Sequence, residues 1–215
     1  MTAVVFDFGG PVIRLPFELQ SPLERRLGLE PGSLRWGGPF DPASDPSWQE
    51  VLSGRGSERA YWADRAREVA PYMGGDGIRD LFQAVYGGTP AHQVVRAEAL
   101  LALAAAQRVG LRTAVLTNDI AHFHPQWHET ISFLSLVDVV VDGSLTGVLK
   151  PDPAAYRLVL DELGTCPEQT VFLDDQPANV EGARAVGLPS VLFDLTDVTG
   201  SYQELAALAG LPAAF

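Results

Sequence analysis

The sequence predicts an α/β fold built on a parallel sheet, and three observations predict it. Short apolar runs without two-residue alternation recur along the chain, as strands covered on both faces require. Helical patterns separate those runs. Polar residues collect where the apolar runs stop, which is where open parallel sheets bind ligands.

The elements follow in order. Val4-Val5-Phe6 reads as a buried strand, and Asp7-Phe8-Gly9-Gly10-Pro11 as the tight loop that ends it. The design repeats downstream. Thr113 to Leu116 runs into Thr117-Asn118-Asp119, Val139 to Val141 into Asp142-Gly143, and Val171 to Leu173 into Asp174-Asp175. A last run, Ser190 to Phe193, ends at Asp194. Between them, Glu98 to Arg108 is rich in Ala and Leu. Pro153 to Leu163 is a helix with Asp152 as N-cap and Pro at the first helical position. Val180 to Val186 closes on Gly187, the residue type suited to a left-handed helix end. Ser201 and Glu204 form a capping-box pattern before Leu205 to Leu208.

Residues 15–88 differ. They contain no clear strand and hold three of the four Trp: Trp36, Trp48 and Trp62. Helical patches fall at Pro22 to Leu27, Trp48 to Leu52, Ser57 to Val69 and Ile78 to Tyr86, with a Gly/Pro/Asp-rich loop from Gly37 to Pro46. The expected organisation is a catalytic core from residues 1–14 and 89–215, with a small helical cap, 15–88, inserted after the first strand. An insert leaving from that edge is placed to act as a lid.

Composition narrows the function. At 215 residues the chain is long enough for one sizeable core or a core with an insert. A formal net charge of −12 argues against nucleic acid, whose phosphates seek clustered Lys and Arg. Cys166 is the only cysteine, so an intrachain disulfide is impossible. No apolar run approaches the roughly 18 residues of a membrane helix. Met1-Thr2-Ala3 leads directly into the first strand without a basic or long apolar region. The expectation is a cytoplasmic monomer or homodimer that meets neither membrane nor nucleic acid.

The chemistry lies in Asp7, Thr117-Asn118, Lys150 and Asp174-Asp175. A carboxylate attacking a phosphate dianion brings negative charges together, so it needs a divalent cation and a Lys beside it. Mg²⁺ takes oxygen ligands, and Asp7, Asp175 and the Gly9 carbonyl could supply three. The Thr117 hydroxyl and the amides around Asn118 offer phosphate oxygens donors. Each residue also has a plainer reading. A lone strand-end Asp is usually a turn former. Lys150 before Pro151 could be solvated surface, Asn179 and Asp119 could be helix caps, and Asp142-Gly143 a simple turn. Adjacent Asp174 and Asp175 beside Asp7 are harder to dismiss, because clustered carboxylates are costly without a cation.

In order and spacing the set Val4–Phe8, Val115–Asn118, Lys150–Pro153 and Phe172–Asp175, with Asn179, resembles the haloacid dehalogenase superfamily. It is similar in particular to the group with a helical cap after the first motif, which includes sugar-phosphate phosphatases and the phosphatase domain of soluble epoxide hydrolase. The resemblance spans Val4 to about Phe193; the insert matches only in position and helicity. It implies a Rossmann-like core and a magnesium-dependent hydrolase of a small phosphorylated molecule. In it Asp7 is the nucleophile, and Thr117, Asn118 and Lys150 assist catalysis. Gly10, Thr117, Asn118 and Lys150 bind substrate. Asp7, Gly9 and Asp175 hold the metal, with Asp174 as an outer contact.

One departure matters. Phosphatases of this superfamily usually carry a second Asp two residues after the nucleophile, to protonate the leaving group and then activate water. Here that position is Gly9, which cannot transfer protons and can adopt a positive φ. The expectations are a good leaving group, a proton donor from elsewhere, or binding without turnover. His122, His124 and His128 follow Thr117-Asn118 closely, and His122 or His124 could serve as the acid. The plainer reading is a polar loop packed by Trp127, and no fourth ligand is evident for a zinc site. Three function classes compete: a Mg²⁺-dependent phosphatase, a carbon–halogen hydrolase with the same nucleophile, and a non-catalytic binder. The acidic pair favours the first.

Overall fold

The computed structural model describes residues 1–118 and 132–212; Asp119, His122, His124, Trp127 and His128 lie outside them. The described chain divides into two compact units, residues 1–13 with 91–212 and residues 14–90.

The first unit is organised on five parallel strands: β1 (Ala3–Phe6), β2 (Arg112–Thr117), β3 (Val139–Asp142), β4 (Thr170–Asp174) and β5 (Ser190–Leu192). Their order, β3-β2-β1-β4-β5, puts β1 in the centre. Phe6 is in register with Val115 on one side and Leu173 on the other, so β1, β2 and β4 end at nearly the same level. Asp7, Asn118 and Asp175, which follow these strands, therefore emerge at one edge of the sheet.

The second unit holds α1 (Gln20–Leu27), α2 (Pro46–Leu52), α3 (Glu58–Val69) and α4 (Ile78–Tyr86). The sheet's own helices are α5 (Ala91–Val94), α6 (Ala97–Arg108), α7 (Ser132–Leu136), α8 (Gly143–Thr146), α9 (Pro153–Leu163), α10 (Pro177–Ala185) and α11 (Val198–Ala209). Alternation along the strands sends Ala3 and Val5 to one face, with Ala114, Leu116, Val141 and Phe172. Tyr156, Val159 and Leu163 of α9 cover them, and all are buried. Val4, Phe6, Val115, Val171 and Leu173 face the other way and are equally buried; α6 packs on β2 and α11 on β4. A sheet buried on both faces explains the uninterrupted apolar runs.

Most element boundaries fall within a few residues of the sequence expectation. Asp152 caps α9 by accepting from the Ala154 amide, and Gly187 has φ 85 beyond the end of α10. Three expectations are corrected. Helix α11 starts at Val198, capped by Asp197 through the Gly200 amide. Ser201 lies inside the helix, and its hydroxyl bonds the Asp197 carbonyl and the Asp194 amide. Asp142-Gly143 is more than a turn, since Asp142 caps α8 by accepting from Ser144. Helix α10 begins at Pro177, because Pro is favourable at a first helical position.

The second unit is built from α1 to α4 around packed aromatic rings. Phe17 lies 5.2 Å from Trp48 and 4.8 Å from Trp62, while Trp62 makes edge contacts with Trp36 and Phe82. Asp45 is buried among them and accepts from the Tyr61 hydroxyl at 2.7 Å and from the Gly38 and Trp48 amides. Burial pushes the Asp45 carboxyl up, but those three hydrogen bonds outweigh it and hold the group below its ordinary range. Among the described residues no helix is long and apolar enough to cross a membrane.

Candidate active site

The strand ends deliver an ionic cluster. Lys150 donates from Nζ to Asp7 Oδ1 and to Asp174 Oδ2, each at 2.6 Å. All three residues are buried. Asp7 follows the central strand, Asp174 ends β4, and Lys150 sits just before the N-cap of α9. Asp175 completes the set: one carboxylate oxygen each from Asp7, Asp174 and Asp175 lie within 4.8 Å of one another.

Each member is held by neighbours. Asp174 accepts from the Gln176 amide at 2.8 Å and from the Asn179 side chain on both its oxygens, at 3.0 and 3.1 Å. The Asn179 carbonyl in turn accepts from the buried Tyr156 hydroxyl at 2.7 Å. Asn179 is thus a side-chain partner of Asp174 inside α10, and Gln176 occupies the N-cap position instead. Asn118 holds Lys150 by its backbone, accepting from its amide at 2.7 Å and donating to its carbonyl at 3.0 Å. Thr117, the last residue of β2, is buried.

The electrostatics follow from this arrangement. Burial would lower the Lys150 pKa, but Asp174 and Asp7 outweigh it and keep the ammonium charged well above its usual range. Burial pushes Asp7 up to about 7; Lys150 pulls against this, and the nearby Asp174 adds to it. Lys150 bridges two of the three gathered carboxylates, the buried Asp7 and Asp174, and the half-buried Asp175 lies beside them. An all-oxygen donor set of that kind fits a hard divalent cation.

The loop after Asp7 carries the two glycines. Gly10 takes the left-handed conformation with φ 84, and Gly9 does not. A Cβ on Gly10 would lie 2.8 Å from Asp175 Oδ2, so the missing side chain leaves room for that carboxylate. The Gly10 amide donates to the Ile13 carbonyl at 3.0 Å. The resemblance implies that Gly10 binds substrate; its amide is engaged within the loop, and its lack of a side chain leaves space for Asp175. Sequence reasoning missed Arg96 and Tyr202, which bond the loop carbonyls of Gly10 and Pro11. A charged residue opening an otherwise apolar helix was the available signal for Arg96; Tyr202 gave none.

A family model for haloacid dehalogenase-like hydrolases matches residues 1–187. The chain belongs to that family. A protein named a phosphatase from Mycobacterium tuberculosis is 30% identical over 218 aligned positions, covering 98% of this chain and 96% of the relative. A haloacid dehalogenase-family phosphatase from Thermococcus onnurineus shares the fold with a TM-score of 0.58 at 22% identity, covering 90% of this chain and 86% of that one. An L-2-haloacid dehalogenase shares it with a TM-score of 0.61 at 18% identity, covering 96% and 99%. The chain spans only 9% of a mouse relative and 20% of a rat one.

Proposed function

We propose that this family member is a Mg²⁺-dependent phosphatase acting on a small phosphorylated metabolite, with Asp7 as the nucleophile. The observation that carries the reading is the Lys150 ammonium bridging Asp7 and Asp174 at 2.6 Å, with Asp175 alongside. A carbon–halogen hydrolase also needs a strand-end carboxylate, but it has no use for three carboxylates gathered around one cation site. The phosphatase name of the mycobacterial relative, aligned along nearly its whole length, supports the same choice.

Asp7, Asp175 and the Gly9 carbonyl would hold Mg²⁺. Asp174 acts from behind, since its oxygens already receive Lys150, Asn179 and Gln176. The cation, when bound, neutralises phosphate oxygens and adds to the pull of Lys150 on Asp7. A carboxylate oxygen of Asp7 attacks phosphorus, the P–O bond to the leaving group breaks, and an aspartyl phosphate forms. Lys150 stays on Asp7 and offsets charge at the reacting oxygens. Water then attacks phosphorus, releasing phosphate and restoring the carboxylate. The leaving oxygen receives no proton from position 9, so it must depart as a weak base or be protonated by solvent. The insert at residues 14–90, rich in buried aromatic side chains, would act as the cap that excludes water during turnover.

The test is a panel of phosphate esters, acyl phosphates and 2-haloacids with wild type and Asp7→Asn, with and without Mg²⁺. Phosphate release that needs both Mg²⁺ and Asp7 supports the reading. Halide release without metal would replace it, and inactivity on every class would leave the binder.

A further inference from the structure

The loop from Phe8 to Ile13 carries the nucleophile's neighbour Gly9, and its backbone is held at every turn. Gly9 pairs with Ile13 in a parallel bridge. The Ile13 amide donates to the Phe8 carbonyl at 2.9 Å and the Gly10 amide to the Ile13 carbonyl at 3.0 Å. In such a bridge both peptide groups flanking Gly9 turn toward Ile13, so the carbonyl of Gly9 itself faces the opposite way. Its direction is therefore set by whatever fixes those flanking peptides.

Ile13 holds the two flanking peptides directly, and two side chains outside the loop hold the peptides that come next, which limits how the 9–10 peptide can turn. The Arg96 Nε donates to the Gly10 carbonyl at 2.5 Å, and its backbone amide donates to the Val12 carbonyl at 2.9 Å. The Tyr202 hydroxyl donates to the Pro11 carbonyl at 2.9 Å. Three consecutive carbonyls are thus secured by the start of α6 and by α11. Both side chains are buried, with Arg96 at 3% and Tyr202 at 0% exposure, so solvent cannot replace the lost donors. The Arg96 guanidinium also stacks 5.4 Å from the Phe193 ring, which packs 5.7 Å from the ring of Tyr202. Arg96, Phe193 and Tyr202 form one packed group behind the loop. Burial also pushes the Tyr202 pKa up, which keeps the hydroxyl a donor at all working pH values.

We propose that Arg96 and Tyr202 are positioning residues for the nucleophile loop, fixing through the Gly10 and Pro11 carbonyls the direction of the Gly9 carbonyl and the seat of Asp7. They touch neither substrate nor metal. The part of the inference that concerns the cation rests on the magnesium reading given above; the part that concerns the loop does not.

Tyr202→Phe removes one hydroxyl and keeps the ring, and Arg96→Lys keeps the charge but loses the Nε position. Amide hydrogen exchange is followed at Gly10, Val12 and Ile13, with β4 and α9 as internal references. Both variants are expected to exchange the three loop amides at least tenfold faster while the references stay unchanged. Calorimetry with Mg²⁺ alone should give a dissociation constant raised by roughly tenfold, the size typical for losing an outer hydrogen-bond partner of a metal ligand. With p-nitrophenyl phosphate, kcat should fall while KM stays within about twofold; because a smaller folded fraction would give the same split, kcat is taken per folded molecule, with the folded fraction measured by circular dichroism. Unchanged loop exchange in folded Tyr202→Phe overturns the proposal, and so does an unchanged Mg²⁺ affinity in a variant whose loop has loosened. If Tyr202→Phe does not fold, Arg96→Lys decides on the same criteria. If wild type neither binds Mg²⁺ nor turns over, the phosphatase reading falls, and the exchange measurement still decides the role of the two side chains.

Discussion

Asn118 grips the peptide of Lys150 at both ends, accepting from its amide and donating to its carbonyl with one carboxamide. The lysine that balances the acidic cluster is thereby fixed by its main chain as well as by its ammonium. Asn118→Ala should free that peptide and let Nζ drift from Asp7. A misplacement of about 1 Å can cost on the order of 10²-fold, and a fall in kcat of that size is expected. Asn118→Asp retains the acceptor and loses the donor, so it should fall between. Activity of Asn118→Ala equal to wild type would remove Asn118 from the account.

Lys150→Ala leaves Asp7 and Asp174 buried without their cation. Breaking a buried pair by removing one partner costs about 3–5 kcal/mol. Urea unfolding of the metal-free protein at pH 8 should register a loss of that order. The loss should shrink toward pH 5, because a protonated carboxyl no longer needs the ammonium. A pH-independent loss would mean that packing, rather than charge, accounts for it.

Asp7 gives a pH dependence with a defined sign. Its folded value is raised to about 7 from 3.8, so in that window the folded state holds the proton more tightly than the unfolded state. Its contribution to metal-free stability therefore falls as pH rises from about 4 to about 7. Cation binding favours the ionised form, so Mg²⁺ should displace a proton at pH 6 and bind more tightly as pH approaches 7. Calorimetry at pH 6 in two buffers of different ionisation enthalpy would detect it. Asp7→Asn should abolish the proton release and stabilise the metal-free protein at pH 8. Identical heats in both buffers for wild type would refute the assignment.

In the proposed phosphatase reaction Gly9 would set the leaving-group preference. Without a proton donor there, acyl and p-nitrophenyl phosphates should be cleaved faster than alkyl phosphates by orders of magnitude. General acid help is worth roughly 10²–10⁴-fold, and Gly9→Asp should recover part of it on alkyl substrates. The backbone permits the change, since Gly10 and not Gly9 occupies the left-handed region. Similar wild-type rates on alkyl and aryl esters would mean that another group already donates the proton.

Gly10→Ala tests the space beside Asp175. An alanine at φ 84 costs about 1–2 kcal/mol, and its Cβ would lie 2.8 Å from Asp175 Oδ2. Asp175 should swing away, with loss of stability in that range and at least tenfold weaker Mg²⁺ binding. Unaltered affinity would place Asp175 outside the cation site.

The fold was legible because the strands lie in a doubly covered sheet, where the middle of each strand is apolar on both faces and the runs cannot be mistaken for amphipathic helix. The acidic ends were legible for the same reason: an Asp beside a wholly apolar run has no other face to occupy. Asn179 was readable equally as a cap or as a site residue, and its bond to Asp174 depends on how α10 is set against the end of β4. Arg96 and Tyr202 were hidden more deeply. Their partners are backbone carbonyls some 86 and 191 positions away, and a carbonyl leaves no trace in the identity of the residue that bears it.

The central place of β1 has a consequence for the chain as it is made. Val4 to Phe6 leave the ribosome well before their sheet partners, Thr113 to Val115 and Val171 to Leu173. At the usual ~5–20 residues per second, the second flank arrives on the order of 10–30 s after the first strand. Until Thr113 to Val115 are made the apolar ribbon has both its hydrogen-bonding edges open, one edge stays open until Val171 to Leu173 follow, and Asp7 at its end has no ammonium beside it until Lys150 is synthesised. Asp7 is therefore translated long before its surroundings, and nascent chains truncated before β4 should be captured by holdase chaperones.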